Sequence, residues 1–320
     1  MRVGSNPARL VQEVAQPAEI TVTVVNCIPF LSGYYEQSLE VLKAVVESLN
    51  DSREEDHPFD VMIFDNHSCA DVRSYLQSAE EQGKIQYLVL SDKNIGKIGA
   101  WNYMFGAAQG KFVVFADGDI YFRPGWLSAS LDLISSFPKV GMVTARPLRT
   151  PGKYSQATFL WGQQQGEGVY QEGKFLDWDV YLEHTDSIGI TREIARKDYE
   201  NDRDHLLTFQ GHCAYIGATH FQFLTRKDVL AKIMPLPSEQ PMRGERAFDI
   251  AVDALGYLRL CTEKPLVMHM GNRLPAGLTP SPPPRRKHPG LKRVAHLPGV
   301  RNVLLWLYNQ IFQIFFHDVD

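Results

Sequence analysis

The sequence predicts an α/β fold: a mainly parallel open sheet with flanking helices, interrupted in its second half by an excursion. Two observations carry this. Short runs rich in Val, Ile and Phe, at residues 21–27, 59–64, 85–90 and 112–116, alternate with stretches of helical apolar period, which is the rhythm of βαβ units. The 320 residues, 44% of them hydrophobic, are also enough to bury one large α/β domain or two closely joined ones.

The elements follow in order. Residues 21–27, rich in valine and threonine, favour a first strand, and residues 36–49 carry Leu39, Leu42, Val46 and Leu49 at helical spacing. A strand at 59–64 ends on Asp65-Asn66-His67-Ser68. A helix at 72–82, a strand at 85–90, a loop at 91–96, a helix at 97–109 and a strand at 112–116 repeat the pattern. Gly110 suits a helix end, and Gly99, Ala100, Ala107 and Ala108 permit close helix-to-sheet packing. A helix at 127–137 and a strand at 140–145 complete this half. Polar, Gly-rich sequence at 150–173, followed by short mixed elements to 203, reads as a substrate-facing excursion rather than another core layer. Order resumes at 212–226, with helices at 228–233 and 245–255 and strands at 258–261 and 266–269. The organisation is a leader at 1–19, two halves at 20–149 and 150–274, a Pro-rich basic linker at 275–298 and an amphipathic helix at 299–320.

Composition excludes several classes. A formal net charge of −4 makes no case for a nucleic-acid binder. Cys27, Cys69, Cys213 and Cys261 lack metal-ligand spacing and read as reduced thiols of a cytoplasmic protein. No signal-peptide core follows Met1, and no run reaches the roughly 18 apolar residues of a membrane span. The apolar run at 303–316, preceded by Arg285-Arg-Lys287 and Lys292-Arg293, suits peripheral contact with the anionic inner face of a membrane; core packing or a homodimer seam suits it equally.

The chemistry is concentrated at Asp117-Gly-Asp119, directly after the apolar strand Phe112-Val-Val-Phe-Ala. Two carboxylates at a strand end, with Gly118 allowing close backbone approach, suit a divalent cation held against the oxygens of a diphosphate. Asp65, at another strand end, can accept hydrogen bonds from a ring N–H or a hydroxyl, or cap the following helix. In Asn94-Ile-Gly-Lys-Ile-Gly99 the asparagine can cap a turn, the glycines allow a close helix start, and Lys97 can offset phosphate charge.

The order Asp65-Asn-His-Ser68, Asn94-Ile-Gly-Lys-Ile-Gly99, Asp117-Gly-Asp119, Glu245 and His269 resembles that of GT-A fold glycosyltransferases, more specifically glycosyltransferase family 2. The resemblance covers most of residues 21–270 and implies a GT-A-like fold, with a nucleotide-sugar-binding half at 20–149 and an acceptor and catalytic half at 150–274. It implies that Asp65 recognises the donor's base or ribose, that Asn94 and Lys97 lie beside the nucleotide, and that Asp117 contacts ribose or sugar. It further implies that Asp119 and His269 hold Mn2+ or Mg2+. Counting back from Gly256 puts Glu245 at the position of the catalytic base, but the usual acidic neighbour is not reproduced at Arg246. Asp249, one helical turn on, is the second catalytic candidate: it could bind acceptor hydroxyls or replace Glu245 as base. His212 and His220 could contact the acceptor or be structural, and Trp161, Trp178 and Tyr181 could stack on a sugar or pack the excursion.

The activity so implied is metal-dependent, inverting transfer from a nucleotide sugar, UDP-linked in most of the family, to a saccharide or lipid-linked hydroxyl acceptor. Two alternatives stand beside it. A nucleotidyltransferase would favour a basic Gly-rich segment after the first strand, which Asn26-Cys-Ile-Pro-Phe-Leu-Ser-Gly33 does not supply. A catalytically inactive carbohydrate- or nucleotide-binding protein would account for Arg246.

Overall fold

The computed structural model describes residues 13–166, 169–240, 242, 244–275, 277, 278, 303 and 307. The linker and C-terminal helix expected at 275–298 and 299–320 lie almost wholly outside the described residues, as does most of the 1–19 leader. No described helix is long and apolar enough to cross a membrane.

The first half follows the expected alternation: β1 (Ile20–Asn26), α1 (Ser38–Asp51), β2 (Phe59–Asn66), α2 (Ala70–Glu81), β3 (Tyr87–Ser91), α3 (Gly96–Ala107) and β4 (Phe112–Asp117). β3, β2, β1 and β4 are adjacent and parallel. Their register sets Asn26 beside Asp65, Val25 beside Asp117 and Asn66 beside Ser91, so the polar strand ends share one carboxyl-terminal edge. That edge is where open α/β sheets gather ligands.

The second half comprises β5 (Ile120–Phe122), α4 (Trp126–Ser136), β6 (Val140–Thr144), α5 (Gln156–Gln164), β7 (Tyr170–Gly173), α6 (Trp178–Ser187) and α7 (Arg192–Asn201). It continues with β8 (Asp204–Phe209), β9 (His212–Ile216), β10 (Gln222–Arg226), α8 (Lys227–Ile233), α9 (Glu245–Ala254), β11 (Leu258–Cys261) and β12 (Val267–His269). The main sheet runs β3-β2-β1-β4-β10-β6-β11-β9-β8-β7. β10 is antiparallel to both β4 and β6, β6 and β11 are parallel, and β9, β8 and β7 continue antiparallel.

The excursion, expected to stand apart from the core layers, instead adds to the main sheet: β7 pairs with β8 at its edge, while α6 packs against β12. The buried ion pair of Arg149 Nε with Asp204 Oδ1, at 2.5 Å, ties the start of β8 back to the segment after β6. β7 reads Tyr-Gln-Glu-Gly, too short and polar to show strand alternation in sequence.

One aromatic cluster fixes the helices that carry the site. The fully buried Trp101 of α3 packs its ring 4.8 Å from Phe115 of β4 and 5.8 Å from Phe248 of α9, and Phe248 stacks at 4.9 Å on Phe223 of β10. Lys227 Nζ donates to the carbonyl of Phe105 at 2.9 Å, closing the carboxyl end of α3.

Candidate active site

Asp119 and His269 are brought together by a two-stranded ladder. β5 and β12 pair with His269 opposite Ile120, and the Met270 N–H donates to the Asp119 carbonyl at 2.9 Å. His269 Nε2 consequently lies 3.4 Å from Asp119 Oδ2. The tautomer of His269 follows from its other neighbour: Ser187 Oγ donates to the His184 carbonyl at 2.6 Å, so at the 3.0 Å contact with His269 Nδ1 it accepts the ring N–H. Nε2 is then the ring nitrogen that faces the carboxylate. Asp119 Oδ1 is buried with no hydrogen-bond partner among the described residues.

A carboxylate oxygen left without a partner, beside an imidazole fixed by an outer hydrogen bond, is a donor set that fits Mn2+ or Mg2+. Among the described residues no third His, Cys, Asp or Glu joins them. The remaining positions would fall to phosphate oxygens and water, as Mg2+ usually arranges. Burial is the main influence raising the Asp119 carboxyl to about 6; Asp117 adds to it, while His269 and Lys97 oppose it.

Lys97, in the first turn of α3, joins the two halves of the cleft. Its Nζ lies 2.7 Å from Asp117 Oδ1 and 3.8 Å from Glu245 Oε1, above the rings of Trp101 and Phe115. Burial alone would lower its pKa, but Asp117 and Glu245 outweigh burial and hold it above the ordinary lysine value. Glu245 opens α9 behind Gly244, with its side chain largely enclosed. Asp117, Asp119, Lys97, Glu245 and His269 thus form one cluster of interacting charged and polar groups.

The remaining sequence candidates are placed differently. Asp65 is fully buried, accepting from Asn26 Nδ2 at 3.2 Å, from the Ser68 N–H at 3.1 Å and from Arg73 Nε at 3.1 Å. It stands at the expected edge with its oxygens already engaged. Asn94 accepts from Asn66 Nδ2 at 2.9 Å and from the Gly96 N–H at 2.8 Å, which shapes the turn into α3 as its sequence suggested. Asp249 is buried between His220 Nδ1, at 2.7 Å from Oδ2, and Arg259 Nη2, at 3.1 Å from Oδ1, so it meets the cleft through His220 and not directly. The close approach at Gly118 is to the protein itself: a Cβ there would stand 2.9 Å from the Val25 carbonyl oxygen of β1.

Trp161 packs against Phe137 and Phe209, and Trp178 and Tyr181 form a cluster with Tyr199, which places these rings in the packing of the excursion. His212 opens β9. Ser187 and Arg73, which hold His269 and Asp65, were not singled out by the sequence; serine in a polar helix and arginine on a solvated one carry no local signal. A cavity of about 560 Å³ opens beside His269, with Tyr121, Arg123, Glu183, Asp186 and Arg273 in its lining.

An α/β sheet whose carboxyl edge gathers carboxylates, a lysine and a histidine is an arrangement suited to a phosphate-bearing ligand and a divalent cation. The chain belongs to glycosyl transferase family 2, whose sequence profile matches residues 32–203, just over half of it. The architecture is the GT-A-like α/β fold expected from the sequence. The matched stretch contains Asp65, Asn94, Lys97, Asp117 and Asp119 but ends before Glu245 and His269.

Among solved structures, TarS 1-349 of S. aureus in complex with UDP-GlcNAc is similar at a TM-score of 0.47 and 13% identity, covering 77% of this chain and 56% of that one. The mannosyltransferase PcManGT from Pyrobaculum calidifontis, in complex with GDP-Man and Mn2+, gives 0.41 and 15% identity, covering 78% and 55%. GalNAc-T7 with UDP, GalNAc and Mn2+ gives 0.49 and 12% identity, covering 79% and 44%. The chain spans about half the length of each. No curated protein matches the sequence.

Proposed function

We propose that this chain is a glycosyltransferase that moves a sugar from a nucleotide-sugar donor, UDP-linked, to a hydroxyl of a saccharide or lipid-linked acceptor, with inversion at the anomeric carbon. The supporting observation is the approach of Asp119 Oδ2 and His269 Nε2 to 3.4 Å, next to the Lys97–Asp117 and Lys97–Glu245 contacts. Asp119 and His269 would hold Mn2+ or Mg2+. A bound divalent cation supplies neutralisation of the charge that collects on the departing diphosphate.

In this reading Lys97 adds a second positive charge on the diphosphate side, releasing Asp117 toward the ribose or sugar. Asn94 shapes the turn beside the nucleotide, and Asp65 anchors the edge on which base and ribose lie. Glu245 takes the proton of the acceptor hydroxyl as its oxygen attacks the anomeric carbon and the bond to the diphosphate breaks. A single in-line displacement inverts the centre, so an α-linked donor gives a β product. Asp249 serves the same centre from one turn deeper on α9.

The test is a donor-by-acceptor screen with Mn2+ or Mg2+ present, with linkage analysis of products, run on the wild type and Glu245→Gln. The expected result is β-linked product from the wild type, and donor binding with little transfer from the variant. Nucleotide-sugar binding with no transfer to any saccharide or lipid-linked acceptor would instead favour a binding protein, the reading that Arg246 keeps open.

A further inference from the structure

We propose that His220 grips a hydroxyl of the transferred sugar through Nε2, with Asp249 as its positioning residue; this rests on the nucleotide-sugar reading above. The His220-Phe221 turn leads into β10 directly beside the carboxylates: the Asp117 N–H donates to the Phe221 carbonyl at 2.9 Å, and Gln222 pairs with Ala116. The two side chains of the turn part company there. The Phe221 ring lies 5.9 Å from that of His269, on the cation side, whereas His220 reaches Asp249 on α9. His220 therefore links the turn beside the β4 carboxylates to the helix that carries Glu245.

The hydrogen bonding of the ring leaves one nitrogen for a ligand. A carboxylate only accepts, so at 2.7 Å from Asp249 Oδ2 it is Nδ1 that donates, and Nε2 is the nitrogen left for a ligand. His220 makes no other hydrogen bond among the described residues, and its side chain remains one-quarter exposed. The buried Asp249 is held in turn by Arg259, which anchors the ring in one orientation. A preset acceptor suits a neutral O–H donor, and the sugar of the donor is the part of the substrate that must lie between the diphosphate and Glu245. Asp249 is one helical turn further along α9 than Glu245, so the imidazole it holds lies along the same helix, one turn from the proposed base.

The experiment compares, by calorimetry with Mn2+ present, the Kd for UDP with the Kd for the best-bound donor among UDP-glucose, UDP-galactose and UDP-GlcNAc. In His220→Ala and Asp249→Asn, the ratio of nucleotide-sugar Kd to UDP Kd rises about tenfold over the wild type while UDP binding is unchanged, the scale of one lost hydrogen bond. His220→Gln, which keeps an acceptor, recovers part of the loss. In the 2-, 3-, 4- and 6-deoxy series of that donor, one analogue binds the wild type and His220→Ala equally, which names the hydroxyl. Normal UDP binding with an unchanged ratio in His220→Ala overturns the role of His220 and leaves the donor reading intact. A wild type that binds neither UDP nor any of these donors overturns both.

Discussion

Lys97 Nζ lies 2.7 Å from Asp117 Oδ1 and 3.8 Å from Glu245 Oε1, so a single ammonium group connects the donor-side carboxylate to the residue proposed as base. Its position over Trp101 and Phe115 removes most of the water that would otherwise weaken both contacts. Replacing Lys97 by Met keeps the length of the side chain and removes the charge. Nucleoside diphosphate binding should weaken by roughly ten- to a hundredfold, the scale of a charged hydrogen bond. Isothermal calorimetry with UDP and Mn2+ checks this, and unchanged affinity would assign the lysine to folding alone.

Glu245→Gln preserves shape and removes the basic lone pair. Turnover should fall by roughly a hundred- to ten-thousandfold, the usual contribution of a positioned base, with donor affinity held within a few-fold. The measurement is kcat for transfer beside the donor Kd. Near-normal turnover would remove Glu245 from the proton transfer.

Gly118→Ala should damage the site by displacing the backbone. The added Cβ would meet the Val25 carbonyl oxygen at 2.9 Å, a fixed atom of the adjacent strand, and the cost should be about 1–3 kcal/mol. Because Asp117 and Asp119 flank the glycine, metal-supported donor binding should fall with stability. Denaturant unfolding and donor calorimetry test the two together; a fully stable variant with normal binding would contradict the close approach.

The Arg149–Asp204 pair gives the sheet edge an acid-dependent contribution. Burial alone would raise the Asp204 carboxyl, but the hydrogen bond from Arg149 and those from the Leu176 and Phe175 N–H groups outweigh it, leaving the pKa below the ordinary value. A carboxyl depressed in the folded state stabilises the fold at pH above its unfolded value of 3.8 and loses that contribution as pH falls through the folded value. Asp204→Asn should therefore cost about 3–5 kcal/mol at neutral pH, since it leaves a buried guanidinium unpaired, and the gap from the wild type should narrow below about pH 4. Urea titrations at several pH values check it. A gap that stays constant on acidification would show that the charge of Asp204 contributes nothing.

What the sequence reveals and what it conceals follow a physical division. β1, β2 and β4 are legible because strands covered on both faces are rich in apolar and β-branched residues, and the carboxylates at the ends of β2 and β4, Asp65 and Asp117, announce the site. β7 is concealed because its pairing with β8, rather than its own residues, makes it a strand. The same holds in the cleft. Asp117-Gly-Asp119 is local and readable, whereas the serine that orients His269 lies 82 residues away from it, and the histidine that encloses Asp249 lies 29 residues away. Helical spacing places Asp249 near Glu245 but says nothing of Arg259, whose charge takes one of its oxygens. Gly118 is visible as a close approach, although only the fold shows that β1 is what approaches.

The most direct measurement is Mn2+ binding, by calorimetry or electron paramagnetic resonance, to the wild type, Asp119→Asn and His269→Ala with saturating UDP present. The wild type should bind one ion per chain, and each variant should lose at least tenfold in affinity while its unfolding midpoint shows that it is folded. Wild-type Mn2+ affinity in both folded variants would mean that the carboxylate and the imidazole facing each other across the β5–β12 ladder do not hold the cation.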